Sequence, residues 1–216
     1  MGDQEERQRA AAVFDALGAD YEKAFAHSRA HHASLEWLLE RLGPDSRVLD
    51  VGSGTGRPTA AALAAAGHRV LGLDISPVMV ELATRQVPDA EFRCADVRDL
   101  AAQEGAFDAA CAYFSLLQMP RREQAAVVGG IARVVAPGGP VVLATVPLDV
   151  EEVDAAFMGQ PVRVTSFGAS AFAALAAESG LVVESRESVL FTPAHPEAVP
   201  EPHLFLHCRR SGAARP

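Results

Sequence analysis

Lysine is almost missing from this chain: among 19 basic residues in 216, only Lys23 is a lysine. Basic residues as a whole are outnumbered by 28 acidic ones, for a formal net charge of −9. Proteins that grip nucleic acid or an anionic membrane present a basic face. That balance argues against both partners, though not against a local basic pocket. Cysteine is scarce too. Cys94, Cys111 and Cys208 lie far apart, and none belongs to a CxxC or a Cys/His cluster. This pattern reads as core thiols in a reducing compartment, with no disulfide framework and no metal site. Long apolar runs are also lacking: none approaches the roughly 18 residues of a membrane span. The polar start MGDQEERQRA is not a signal peptide. The expectation is a soluble, cytoplasmic protein, monomeric or homodimeric. The preference for arginine over lysine, with abundant alanine, reads as a GC-rich, bacterial genome and says nothing about chemistry.

What is present is a globular composition, 49% hydrophobic and 22% charged, in a length that suits one domain. Short β-branched runs alternate with Ala/Leu-rich helical stretches. Residues 5–17 and 20–41 read as two helices. Strands are expected at 47–51, 69–74, 91–95, 107–114 and 141–146, with helices at 57–66, 76–85 and 121–135 between them. Gly67 suits a left-handed helix cap, and Ser76-Pro77 is a helix start. A helix at 169–179 and two strands at 181–190 and 203–209 close the chain. Strand–helix alternation implies a parallel sheet covered on both faces. The last two strands, lacking a helix between them, should form an antiparallel hairpin at one edge.

The richest stretch is Val48-Leu49-Asp50-Val51-Gly52-Ser53-Gly54-Thr55-Gly56, a buried strand running through glycines into a helix. Glycines there permit a tight turn and close approach of a ligand. The spacing is GxGxG, not the dinucleotide GxGxxG, and the lysine of a phosphate loop is missing. Asp74 ends the next strand, where an acid can accept both hydroxyls of a ribose. Asp96 follows the third strand, within reach of an adenine amino group. Each acid alone reads more readily as a helix cap or solvated loop residue. The three features at the ends of successive strands mark the crevice where open α/β sheets bind ligands.

VLDVGSGTG, LDIS, ADVRDL, FDAACAYFSLLQMP and VVAPGGPVVLATV together resemble the motif series of class I S-adenosylmethionine-dependent methyltransferases of small-molecule type. The resemblance is close over residues 14–146. It implies a Rossmann-like, doubly wound, seven-stranded sheet, mostly parallel with the last strand antiparallel. It also implies a helical lid over 1–43 and an insertion at 147–170 covering the acceptor pocket, in one domain spanning 1–216. Carried over by position, Asp50 leads the glycine loop, and Gly52, Ser53, Gly54 and Gly56 would line the methionine moiety of S-adenosylmethionine. Asp74 would hold the ribose, with Ile75 and Met79 against the adenine. Asp96 and Val97 would meet the adenine edge, Tyr113 and Phe114 would lie beside the sulfonium, and Tyr21 would close over the cofactor. The implied reaction is methyl transfer to O, N or C of a small molecule, a natural-product tailoring step being one context, with S-adenosylhomocysteine as product.

Gln118 stands where small-molecule members often carry histidine. It cannot act as a base at neutral pH, but its amide can hydrogen-bond. His27 and His31 are expected on one helical face, four apart, and each is open as a general base or as lid packing, as is neighbouring His32. His195 and His203 stand near the last strand, where either could face the site mouth or be a bland structural residue. Glu151, Glu152 and Asp154 read as a solvated helix start, and Phe157, Met158 and Phe167 as apolar cover or core. Two other readings stay open. One keeps the fold and the cofactor but catalyses a non-methylating cyclisation or isomerisation. The other, a nicotinamide-dependent oxidoreductase, is disfavoured by the glycine spacing and by the lack of a Tyr-x-x-x-Lys pair.

Overall fold

A computed structural model describes residues 3–100, 103 and 105–212. Its main sheet has seven strands: β1 (Arg47–Val51), β2 (Arg69–Asp74), β3 (Glu91–Cys94), β4 (Ala109–Tyr113), β5 (Pro140–Thr145), β8 (Leu181–Phe191) and β9 (Glu201–Arg210). Their spatial order is β3-β2-β1-β4-β5-β9-β8. Pairings from β3 through β5 are parallel, and β9 lies antiparallel to both β5 and β8. The expected architecture and the antiparallel last strand are therefore present.

The central strands β1, β4 and β5 are buried along almost their whole length, whereas edge strands β3 and β8 are largely exposed. Strand side chains alternate between faces, so successive residues of one strand enter different cores. Leu49, Ala110, Ala112 and Leu143 pack with α6 (Arg121–Val134) and α7 (Ala169–Glu178). Val48, Ala109, Cys111 and Val142 pack with α3 (Arg29–Leu39) and α4 (Thr59–Ala65). The helix α5 (Pro77–Gln86) starts as expected: the Ser76 hydroxyl accepts from the Met79 N–H at 3.0 Å, and Pro77 opens the first turn.

Three expectations need correction. The helix expected over 20–41 is two, α2 (Ala19–Phe25) and α3, broken at Ala26–Ser28. Ser28 caps α3, its hydroxyl accepting from the His31 N–H at 3.4 Å. A serine that bonds the backbone this way offers the chain an alternative to continuing the helix. His27 and His31 therefore do not share a helical face. Glu151, Glu152 and Asp154 do not start a helix either; they lie in β6 (Val150–Phe157), which pairs antiparallel with β7 (Gln160–Ser166) in a separate two-stranded sheet. Met158 and Gly159 form a two-residue turn with φ of 48° and 77°. Both positive values are what a tight hairpin turn demands. A bulge between Val150 and Val153 interrupts the alternation that would have announced the strand.

The first helix, α1 (Asp3–Leu17), and α2 pack on this hairpin, not on the main sheet. Val13, Leu17, Ala24, Met158 and Val162 form one buried cluster, flanked by Phe14, Tyr21, Phe25, Phe157 and Val164.

Candidate active site

The strand order reverses between β1 and β4, and a crevice opens at their carboxyl ends. Two adjoining cavities occupy it, one of about 340 Å³ and one of about 120 Å³. Tyr21, Phe25, Gly52, Gly54, Tyr113 and Phe114 line both.

The glycine loop is shaped by its neighbours. Gly52 has φ of 69°, and a Cβ there would fall 2.1 Å from the Ser115 Cβ, so glycine is required for the β1 and β4 ends to meet. Gly54 has φ of 52°, but a Cβ there would meet nothing within 4 Å; the free space is the cavity it lines. Gly56 lines neither cavity: a side chain would run into Val87 and Phe92. Its role in this structure is close packing of the α4 start against α5 and β3. Ser53 lines the smaller cavity with its hydroxyl buried and unpartnered.

Three acids surround the loop. Asp74 ties it down: one carboxylate oxygen accepts from the Gly54 N–H at 2.8 Å, the other from the Ser76 N–H at 2.9 Å. Each oxygen keeps a lone pair for a ligand hydroxyl. Burial pushes this carboxyl up, against those N–H bonds that pull it down. Asp50 is buried at the end of β1. Its Oδ1 accepts from the Cys111 thiol at 3.4 Å, and its Oδ2 has no partner. Burial drives its pKa to about 7. Asp96 is committed elsewhere. Arg98 donates to both its oxygens, and Arg7 of α1 lies 3.3 Å away. Burial pushes Asp96 up, but the Arg98 guanidinium and N–H, with Arg7, more than offset it and hold the carboxyl low. Arg98 continues to Glu123 of α6.

Ile75, Met79, Asp96, Val97 and Gln118 line the larger cavity beside Asp74. Phe114 adopts φ of 57°, a rare conformation for an aromatic residue. The Tyr113 hydroxyl points to α3, 3.3 Å from the Ser34 hydroxyl. His31 lines the smaller cavity, stacked 4.0 Å over Tyr113, with Nε2 3.0 Å from the Thr59 hydroxyl. Burial lowers its pKa to about 3, so at neutral pH it is an uncharged ring and a poor proton acceptor. His27 is exposed and lines neither cavity. His195 sits in the loop before β9, accepting from the Glu197 N–H. His203 is fully buried and bonds Glu201, which does line the larger cavity.

Sequence reading passed over Glu201, Arg98 and Phe25. Only Arg98 had a local signal, as the basic partner inside the ADVRDL run. The other two reach the site through the fold.

Residues 48–139 match the methyltransferase domain family. An uncharacterized methyltransferase of Synechocystis is 35% identical over 111 residues, which is 51% of this chain and 51% of that relative. The chain thus spans about half the length of that curated relative. Among solved structures, the 1,6-didemethyltoxoflavin-N1-methyltransferase of Burkholderia thailandensis superposes with a TM-score of 0.74 at 22% identity, covering 98% of this chain and 91% of that one. The cyclase SpnF superposes with a TM-score of 0.67 at 22% identity, covering 86% and 82%. At such identities the structural likeness speaks for the fold. Residues 48–139 thus match the methyltransferase domain family, in agreement with the motif series, and the fold is one shared with solved methyltransferases.

Proposed function

We propose that the protein transfers a methyl group from S-adenosylmethionine to O, N or C of a small, largely apolar molecule, the reaction of class EC 2.1.1. The observation that carries this reading is the unpartnered, buried Asp50 Oδ2 beside Gly54, whose missing side chain leaves the cavity open. A buried polar atom without a partner is costly, and an ammonium group of a bound amino acid moiety would satisfy it. The unpartnered hydroxyls of Ser53 and Ser115 add hydrogen-bonding capacity at the same place. Asp74 would hold the ribose hydroxyls with its spare lone pairs, and Ile75, Met79 and Val97 offer apolar walls for a purine.

Bound S-adenosylmethionine supplies the activated methyl group; the protein's part is alignment and exclusion of water. Tyr21, Phe25 and Phe114 close over the region between the two cavities. The hairpin residues Ala155, Ala156, Phe157, Val162 and Val164 wall the larger cavity. In this reading 147–170 covers the acceptor and 1–43 is its lid. Gln118 orients a ligand through its amide, and His31 packs as a neutral ring. A natural-product tailoring role is consistent with this pocket. Isothermal titration with S-adenosylhomocysteine, followed by transfer of labelled methyl from S-adenosylmethionine to a panel of phenols, amines and hydroxyquinones, tests the proposal. Products that keep the acceptor's mass would favour the cyclase reading instead. Binding of nicotinamide dinucleotide without S-adenosylhomocysteine would refute the proposal.

A further inference from the structure

The larger cavity has apolar walls on its hairpin side, and two acids besides Asp74 and Asp96 line it: Glu6 of α1 and Glu201 at the start of β9. The His203 imidazole donates through Nε2–H to Glu201 Oε1 at 2.9 Å. His203 has no exposed surface, and its ring is held among Phe25, Phe114 and Phe191, at centroid distances of 6.3, 4.3 and 5.1 Å. That packing leaves the imidazole little freedom, so it fixes one carboxylate oxygen. The second oxygen, Oε2, has no hydrogen bond among the described residues. Among the described residues, the one arginine lining this cavity, Arg98, is already paired with Asp96 and Glu123. Tyr21 stands between the acids: burial first, then the charges of Glu201 and Asp74, raise its phenol. Glu201 therefore faces the same space as the glycine-loop end, from the acceptor side.

We propose that Glu201, aimed by His203, binds the acceptor's hydroxyl or N–H and takes its proton, so that the pocket selects neutral, protic, apolar acceptors and rejects carboxylates. This rests on the methyl-transfer reading above. In the step, the acceptor oxygen or nitrogen bonds to the methyl carbon while the carbon–sulfur bond breaks and leaves its electron pair on sulfur. The acceptor's proton passes to Glu201 Oε2 and from there to solvent. Glu201 is the catalytic residue and His203 a positioning residue. A carboxylate ligand would bring a second negative charge against Glu201, with no free cation among the described residues lining the cavity to offset it.

The test titrates 2-naphthol and 2-naphthoate into the protein, with and without saturating S-adenosylhomocysteine. Failure of S-adenosylhomocysteine to bind overturns the cofactor reading, whereas the naphthol-to-naphthoate ratio judges Glu201 in either state. The wild type should favour 2-naphthol by about tenfold or more, the effect of one charged group on a desolvated contact. Glu201→Gln should remove most of that preference. His203→Leu should reduce it, and His203→Gln, which keeps a donor near the Nε2 position, should restore it in part; a merely structural role for His203 would change both probes alike. Wild-type protein that binds neither probe, or both equally, overturns the proposal, as does a Glu201→Gln ratio equal to that of the wild type.

Discussion

At the scale of single residues, the site depends on charges the protein holds out of water. Asp50 keeps a proton in the folded chain up to about pH 7, well above an exposed carboxylate. The folded state therefore binds more protons than the unfolded one between the two values, and stability falls as pH rises through that window. Asp50→Asn removes the cost of a buried charge, so at pH 8 the ligand-free variant should melt higher than the wild type. Its affinity for S-adenosylhomocysteine should drop about tenfold or more with the lost ion pair. Wild-type affinity should rise from pH 6 to pH 8 as Asp50 ionises, and the variant's should stay flat across that range. Asp74→Ala removes two acceptors and the tie to the Gly54 N–H, and should weaken binding by about 2 kcal/mol or more. Gly54→Val should abolish binding measured by titration. Gly67→Ala provides the control: its φ of 86° is similarly strained and its Cβ also meets nothing, but it lines neither cavity, so binding should survive.

At the scale of elements, the break at Ala26–Ser28 divides one helical stretch between two bodies. Leu35 and Leu38 of α3 pack into the sheet core, whereas Ala24 of α2 packs with α1 and the hairpin. Helices α1 and α2 and the β6–β7 hairpin thus share one apolar cluster. Polar ties fasten this cap to the cofactor side: Arg7 to Asp99 and Asp96, and Asp15 to the Ser76 hydroxyl. Ion pairs of this exposure contribute under about 1 kcal/mol to folding. Arg7→Ala should leave the melting temperature nearly unchanged and raise the dissociation rate of S-adenosylhomocysteine several-fold, measured by stopped-flow fluorescence. The break is written in the sequence as Ser28, a good N-cap, but Ala26 and His27 gave no helix-stopping signal beside it. The hairpin was hidden further, because the bulge disturbs the alternation of VEEVDAAF and the turn is Met-Gly, not the Asn-Gly that announces such turns.

At the scale of the whole molecule, binding and stability are linked. At a ligand concentration of 100 times Kd, binding stabilises the folded state by about 2.7 kcal/mol. For a chain of this size that is a rise of about 5–10 °C in melting temperature. S-adenosylhomocysteine should produce it in a thermal-shift measurement, and nicotinamide dinucleotide should not. The seven strands of a mostly parallel sheet, the antiparallel last strand and the position of the crevice were legible in the sequence. Alternating apolar runs and glycine punctuation are local signals, and the handedness of βαβ crossovers leaves few ways to arrange them.

The sequence by itself determined the elements of the sheet, the glycine loop and the acids at its rim, because each depends on neighbours within a few residues: a β-branched run, a glycine free to take positive φ, a serine able to cap. Only the tertiary structure decided which of those residues line the crevice. Gly56 turned inward to pack against Val87 and Phe92, and Asp96 was drawn to Arg98 and to Arg7, the latter 89 positions away along the chain. His27 was left outside, and His31 was buried as a neutral ring. Glu201 entered the site from the last strand because β9 inserts between β5 and β8. Such contacts join residues far apart in sequence, and their energies exist only once the chain has closed on itself.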